Sequence, residues 1–213
     1  MKEYEMKLLL TQEEYDCLYR HYMFGARRGC HINYYYDTPS FMLYRLGISY
    51  RVREREGRFE RTVKLPHRYR RECREELSTP VTCAPLTAQW EDLALRQCGC
   101  LITDRTEMRL PDGASVCLDA NCYLGKIDFE LEVEYPEFGR ARGEDALRSA
   151  AACLVRHGLI SKPAELLSRN GKSFGKAGRF FTALTARIRE KSYDGSDSDQ
   201  LLELEKAYMS NRA

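Results

Sequence analysis

Charged and apolar residues alternate one by one in segments scattered along this chain. Glu3, Glu5 and Lys7 interleave with Tyr4, Met6 and Leu8; far downstream, Asp128, Glu130, Glu132 and Glu134 interleave with Phe129, Leu131, Val133 and Tyr135. A period of two belongs to a β-strand, whose successive side chains point to opposite faces. Any one such segment is an ordinary surface strand with a wet side. The same spacing recurs in Arg51, Arg53 and Arg55, in Thr62 and Lys64, and in Arg105, Glu107 and Arg109. So many two-faced strands confine the chain to a sheet whose two faces differ sharply in polarity.

Turn and cap signals divide the rest. A first strand over 2–10 ends at Thr11, whose spacing to Glu14 is that of a capping box, and a helix follows with Tyr15, Leu18, Tyr19 and Tyr22 on one side. Strands are expected over 31–37, 48–55 and 58–65, the last two joined as a hairpin at Glu56-Gly57, and over 71–77. Phe41–Leu46 reads as one helical turn. Pro80 and Pro85 are expected to break the sheet, and 87–97 has the composition and spacing of a helix. Three strands then span 101–110, 114–123 and 126–135, followed by an amphipathic helix over 144–157 and a last helix over 172–189. A single domain over 1–190 is expected. The polar stretch 192–199 makes 191–213 a linker and tail, with a short helix at 201–209.

The 213 residues suit one well-buried domain, and 43% hydrophobic with 31% charged residues suits a globular protein. A net charge of +2 gives no global field for nucleic acid, and no apolar run is long enough to cross a bilayer. The first residues lack the apolar core of a signal peptide, so the cytoplasm is the expected compartment. The sequence fixes no oligomeric state. The 9 cysteines include no CxxC pair, so neither a disulfide framework nor a structural zinc site is expected, and reduced buried thiols are. His21, His31, His67 and His157 are read as having no ligand spacing.

About eight strands with few helices give an α+β fold built on a closed antiparallel barrel. Small barrels ordinarily fill their interior with apolar side chains. Here the helices must pack on the apolar faces, which leaves the charged faces for the inside. The expected solution is an eight-stranded tunnel with a polar, charged lumen and helices packed outside.

Such a lumen carries two kinds of chemistry. Arginine forks and lysine ammonium groups grip phosphate oxygens, and Arg51, Arg53 and Lys64 are the main candidates; Arg55 and Arg61 are expected to pair with acids instead. Clustered carboxylates repel one another and are costly without a cation, and an all-oxygen set suits Mg²⁺ or Mn²⁺.

The ordered motifs carry a family resemblance. Glu3-Tyr4-Glu5-Met6-Lys7 resembles the ExExK signature of the CYTH domain in the triphosphate tunnel metalloenzymes. Tyr35-Tyr36-Asp37-Thr38-Pro39 resembles its YYDTP strand end, Arg51-Val52-Arg53 its LRIR strand, Thr62-Val63-Lys64 its TLK strand, and Glu130-Leu131-Glu132 its closing ExE strand. The match runs over about residues 1–175 and is nearest to the compact bacterial members. It implies a tunnel that binds a triphosphate lengthwise, with Glu3, Glu5, Asp119, Glu130 and Glu132 holding Mg²⁺ or Mn²⁺. It implies further that Lys7, Arg51, Arg53, Lys64 and Arg105 grip phosphate, with Lys7, Arg53 and Lys64 as the catalytic cations. Lys172, in Asn170-Gly171-Lys172-Ser173, stands nearest to the family's C-terminal SK element and is a further phosphate candidate. Gly171-Lys172-Ser173 is no P-loop, since Leu166 stands where the motif needs glycine.

The resemblance implies a metal-dependent triphosphatase whose partner is a small-molecule triphosphate, inorganic triphosphate foremost, with no nucleic-acid or membrane partner. Adenylate cyclase of the class IV type, thiamine or nucleoside triphosphatase, and a non-enzymatic polyphosphate or nucleotide sensor are the alternatives. An aromatic mouth of Tyr34, Tyr36 and Tyr50 keeps the organic triphosphates open.

Overall fold

The computed structural model describes residues 2–66, 73–111, 113–172 and 174–189, with the backbone alone for 2, 3, 73 and 74. The expected tail at 191–213 lies outside them. The strands are β1 (Lys2–Leu10), β2 (Arg27–Asp37), β3 (Ser49–Arg55), β4 (Arg58–Pro66), β5 (Cys73–Val81), β6 (Thr87–Trp90), β7 (Leu93–Arg109), β8 (Ser115–Tyr123) and β9 (Lys126–Tyr135). The helices are α1 (Gln12–His21), α2 (Met42–Arg45), α3 (Arg140–Arg156), α4 (Pro163–Leu167) and α5 (Lys176–Arg189).

Antiparallel pairing runs in the order β2-β3-β4-β5-β1-β9-β8-β7, and β7 pairs back onto β2 to close the ring. β6 hangs on β7 alone, so eight of the nine strands form the barrel. The seam between β1 and β5 is short, from Lys2↔Glu75 to Tyr4↔Cys73. By contrast β2 and β7 pair over Arg27↔Glu107 to Asp37↔Arg96, with an irregularity at Tyr35/Tyr36.

The alternation sorts as the inside-out barrel requires. Tyr4, Met6 and Leu8 of β1, Val116 and Leu118 of β8, and Leu131 and Val133 of β9 lie on the outer face, where they form one core with Leu18 of α1 and Leu147, Ala150 and Leu154 of α3. A second outer core joins Tyr34, Tyr36, Tyr50, Val52 and Val63 to Leu43 of α2 and Leu95. No helix among the described residues is long and apolar enough to cross a membrane.

Local chemistry fixes the connections. Thr11 and Glu14 form the capping box of α1, and the buried Glu14 carboxylate also takes both arms of Arg169 at 2.7 and 2.8 Å. Asp37, fully buried, accepts from the backbone N–H groups of Thr38, Leu43 and Tyr44 and so ties β2 to α2.

Two expectations are corrected. The stretch 87–97 is not a helix but the β6–β7 hairpin, turned at Glu91 (φ 52) and Asp92. Ala88, Trp90, Leu93 and Leu95 all face the second outer core, so tertiary burial at period two overrides local helix propensity. Nor does Pro80 break the sheet: it pairs with Glu60 within β5. Beyond Glu75, β5 has only β4 as a described neighbour, so one edge is open where proline's missing N–H breaks no ladder.

Candidate functional site

The inner faces converge on a cavity of about 360 Å³, lined among others by Glu5, Lys7, Arg51, Arg53, Lys64, Arg105, Glu132, Glu134 and Lys176. Residues of α5, Lys176, Ala177, Gly178 and Phe181, line one side of it. That helix differs from α1 and α3 because it meets the lumen face: Phe180 and Phe181 pack on Tyr35, with ring centroids 5.0 and 5.9 Å apart, and Leu101 joins the cluster. From this seat Lys176 and Arg179 project into the barrel, three residues apart on one helical face.

One side of the lumen is a continuous ion network. Lys7 Nζ lies 2.7 Å from Glu5 and 3.1 Å from Glu132. Arg105 reaches Asp119 at 2.8 Å and Glu132 at 2.5 Å. Lys176 sits among Asp119 (2.8 Å), Glu130 (2.5 Å) and Glu132 (3.2 Å), and Arg179 binds Asp128 and Glu130. Burial alone would raise the Glu132 carboxyl, but Lys176, Lys7 and Arg105 together hold it well below the usual carboxylate range. Burial likewise acts to discharge Lys176 and is overcome by Asp119, Glu130 and Glu132. Glu5 goes the other way: burial raises it against the opposing pull of Lys7, and neighbouring Glu132 adds to the rise.

Facing this network is a wall of uncompensated positive charge. Arg53 donates to Asn33 Oδ1 at 3.0 Å, Arg51 keeps its buried Nε without a hydrogen-bond partner, and neither guanidinium has an ion pair among the described residues. Burial, with Arg51 and Arg105 nearby, pushes Arg53 down to about 10. The same field acts on His31: burial first, then Arg53 and Arg105, lower it to about 3, so its ring is neutral. Lys64 stands beside them, 3.0 Å from Glu76.

Oxygen atoms of Asp119, Glu130 and Glu132 all lie within 4.8 Å of one another, and all three residues are buried. An all-carboxylate set at that spacing fits a hard divalent cation, with Glu5 adjoining through Glu132.

The structure therefore gathers Glu5, Lys7, Arg51, Arg53, Lys64, Arg105, Asp119, Glu130 and Glu132 on one lumen. Glu3 shares the Glu5 face of β1 by register, and its side chain lies outside the described residues. Lys172 is exposed and absent from the cavity wall; the lysine that enters is Lys176, because α5 begins there and not at 172. The signal was legible as Lys176 and Arg179 at helical spacing ahead of Phe180-Phe181. Tyr34, Tyr36 and Tyr50 do not form a mouth: they are even-numbered neighbours of the lumen residues and pack in the outer core. The aromatic residues at the cavity are Tyr35, Tyr44, Phe174 and Phe181.

Comparison with known proteins agrees with this geometry. Residues 1–156 match the CYTH domain. "Putative triphosphatase YjbK" of Bacillus subtilis is 30% identical over 123 residues, 52% of this chain and 64% of that protein. The fold is shared with a "putative adenylate cyclase" of Bacillus halodurans (TM-score 0.62, 24% identity, 84% of this chain and 98% of that one). It is also shared with HpAC1 of Hippeastrum, a "putative adenylyl cyclase" reported with a dominant triphosphatase activity (TM-score 0.54, 17% identity, 74% of this chain and 97% of that one).

Proposed function

Because the chain belongs to the CYTH domain family, we propose that it hydrolyses a triphosphate laid along the barrel lumen, with inorganic triphosphate as the substrate. The observation that carries this reading is the pair Arg51, buried, and Arg53, half-buried, which line the cavity without carboxylate partners among the described residues and face a neutralised carboxylate cluster. An uncompensated buried charge is costly in a folded protein, and a polyanion in the cavity would relieve it.

Arg51, Arg53 and Lys64 would bind phosphate oxygens from one side. Lys7 and Arg105, already anchored by Glu5, Glu132 and Asp119, would present their remaining donors from the other. Fixed donors on both sides need little reorganisation as charge shifts during phosphoryl transfer, which demands mainly positioning and charge stabilisation. Asp119, Glu130 and Glu132, with Glu5 and, by its place on β1, Glu3, would hold Mg²⁺ or Mn²⁺. When bound, such an ion neutralises phosphate charge and polarises the transferred group. Lys176, seated on three of these carboxylates, would have to yield part of its contacts to the ion, next to Gly175 and Phe174 of the cavity wall.

The lumen cations lie on separate strands, so a pyrophosphate would span fewer of them than a triphosphate. The test is a panel of triphosphate, pyrophosphate and ATP with Mg²⁺ and with Mn²⁺, scoring phosphate against cyclic AMP. Fast phosphate release from triphosphate and little from pyrophosphate is expected. Equal rates on the two, or cyclic AMP as the main product from ATP, would overturn the reading.

A further inference from the structure

A second cluster of ligating side chains lies on the opposite side of the sheet from the cavity, where α1 packs against α3. Cys17 and His21 stand four residues apart on α1, and Cys153 and His157 stand four apart at the end of α3. Residues at i and i+4 share a helical face, so each helix presents one thiol and one imidazole to the other. The thiols of Cys17 and Cys153 meet across the contact between the two helices. A nitrogen of His157 and both sulfurs lie within 4.8 Å of one another. The His21 ring stacks on His157 with centroids 4.1 Å apart.

We propose that Cys17, Cys153, His157 and His21 form a tetrahedral site for a thiophilic divalent cation, zinc above all. At Zn–S of about 2.3 Å and Zn–N of about 2.0 Å, tetrahedral ligand atoms sit about 3.6–3.8 Å apart, so the three gathered atoms need only a small contraction. A side-chain rotation of His21 supplies the fourth ligand. Two sulfurs and two imidazoles select zinc over the hard ions that suit the carboxylates of the lumen. Both thiols are buried while His21 and His157 are exposed, so the ion reaches the sulfurs from solvent past the imidazoles. Two thiols alone would serve a disulfide equally well; the two imidazoles at helical register with them favour a metal. Bound zinc would tie α1 to α3, and their shared core covers β1, β8 and β9, the strands that carry the lumen carboxylates.

The test uses the full-length protein, reduced, stripped with chelator and held in excess Mg²⁺, titrated with Co²⁺ and then Zn²⁺. Thiolate-to-cobalt charge-transfer absorption saturating at one equivalent and displaced by Zn²⁺ is expected, since oxygen ligands in the lumen give no such band. Cys153→Ser and the exposed His157→Ala should lose it. His21→Ala should weaken binding by about tenfold or more. Absence of the band, its persistence in Cys153→Ser, or a Cys17–Cys153 disulfide in protein isolated without reductant that takes up no cobalt once reduced would overturn the site. None of these outcomes bears on triphosphate hydrolysis, so the two readings fail separately.

Discussion

Two walls of one cavity treat buried charge in opposite ways. On the wall built by β1, β7, β8, β9 and α5, every cation is matched: Lys7, Arg105, Lys176 and Arg179 share Glu5, Asp119, Asp128, Glu130 and Glu132. On the β3 side, Arg51 and Arg53 lie close to each other and have no ion pair among the described residues. The first wall is internally neutralised and contributes to holding the barrel together. The second stores positive charge at the cost of stability, and that asymmetry marks where a polyanion would bind.

Breaking the matched wall at its hub should have the largest effect. Glu132 contacts Lys7, Arg105 and Lys176, so Glu132→Gln should lower triphosphate turnover by about a thousandfold and blunt the response to Mg²⁺. Steady-state rates across a Mg²⁺ titration check this; unchanged rates and metal response would remove Glu132 from the assignment.

Next come the two walls compared by stability. Lys176→Met takes the shared cation from buried Asp119 and Glu130, leaving them only Arg105 and Arg179 respectively, and should cost about 3 kcal/mol. Arg51→Met, which removes an unpartnered donor, should change stability by no more than about 1 kcal/mol in either direction. Urea unfolding of both variants decides it; equal losses would mean that the walls do not differ.

Arg53→Ala should cut triphosphate turnover by about a hundredfold, the scale of one lost preorganised donor. Any residual pyrophosphate cleavage should suffer less, because the shorter anion spans fewer cations. A proportional loss on both substrates would show that Arg53 does not read phosphate number.

The smallest effect concerns pH. His31 titrates near 6.5 when unfolded and at about 3 in the fold, so acidification protonates the unfolded chain first. Stability from this residue is complete above pH 6.5 and falls as pH drops toward 3, by about 2 kcal/mol between pH 6.5 and pH 5. His31→Asn should flatten that part of the curve, measured by unfolding at several pH values; an unaltered slope would assign the acid sensitivity elsewhere.

Much of this was legible in the chain because period-two alternation is local. Glu5, Lys7, Arg53, Glu130 and Glu132 could be placed on charged strand faces, and Thr11 with Glu14 marked a helix start. The β6–β7 hairpin was hidden because Leu, Ala, Gln and Glu are good helix formers, and only the outer core gives Trp90 and Leu93 a reason to lie in strands. The paired spacing of Cys17 with His21 and Cys153 with His157 was also in the sequence, but nothing local says that α1 and α3 are neighbours.

The sequence by itself determined which faces are charged and which are apolar, since side-chain direction in a strand follows from backbone geometry alone. Tertiary structure decided which charges neutralise each other. It seated α5 against the lumen through Phe180 and Phe181, so that Lys176 rather than Lys172 meets the carboxylates. It left Arg51 and Arg53 without an ion pair among the described residues: Arg51 stands between Tyr35 and Thr62, and Arg53, although Glu60 is opposite it on β4, turns to Asn33 on β2. Charge pairing acts over a few ångströms in space, and residues far apart in sequence reach that distance only once the barrel has closed.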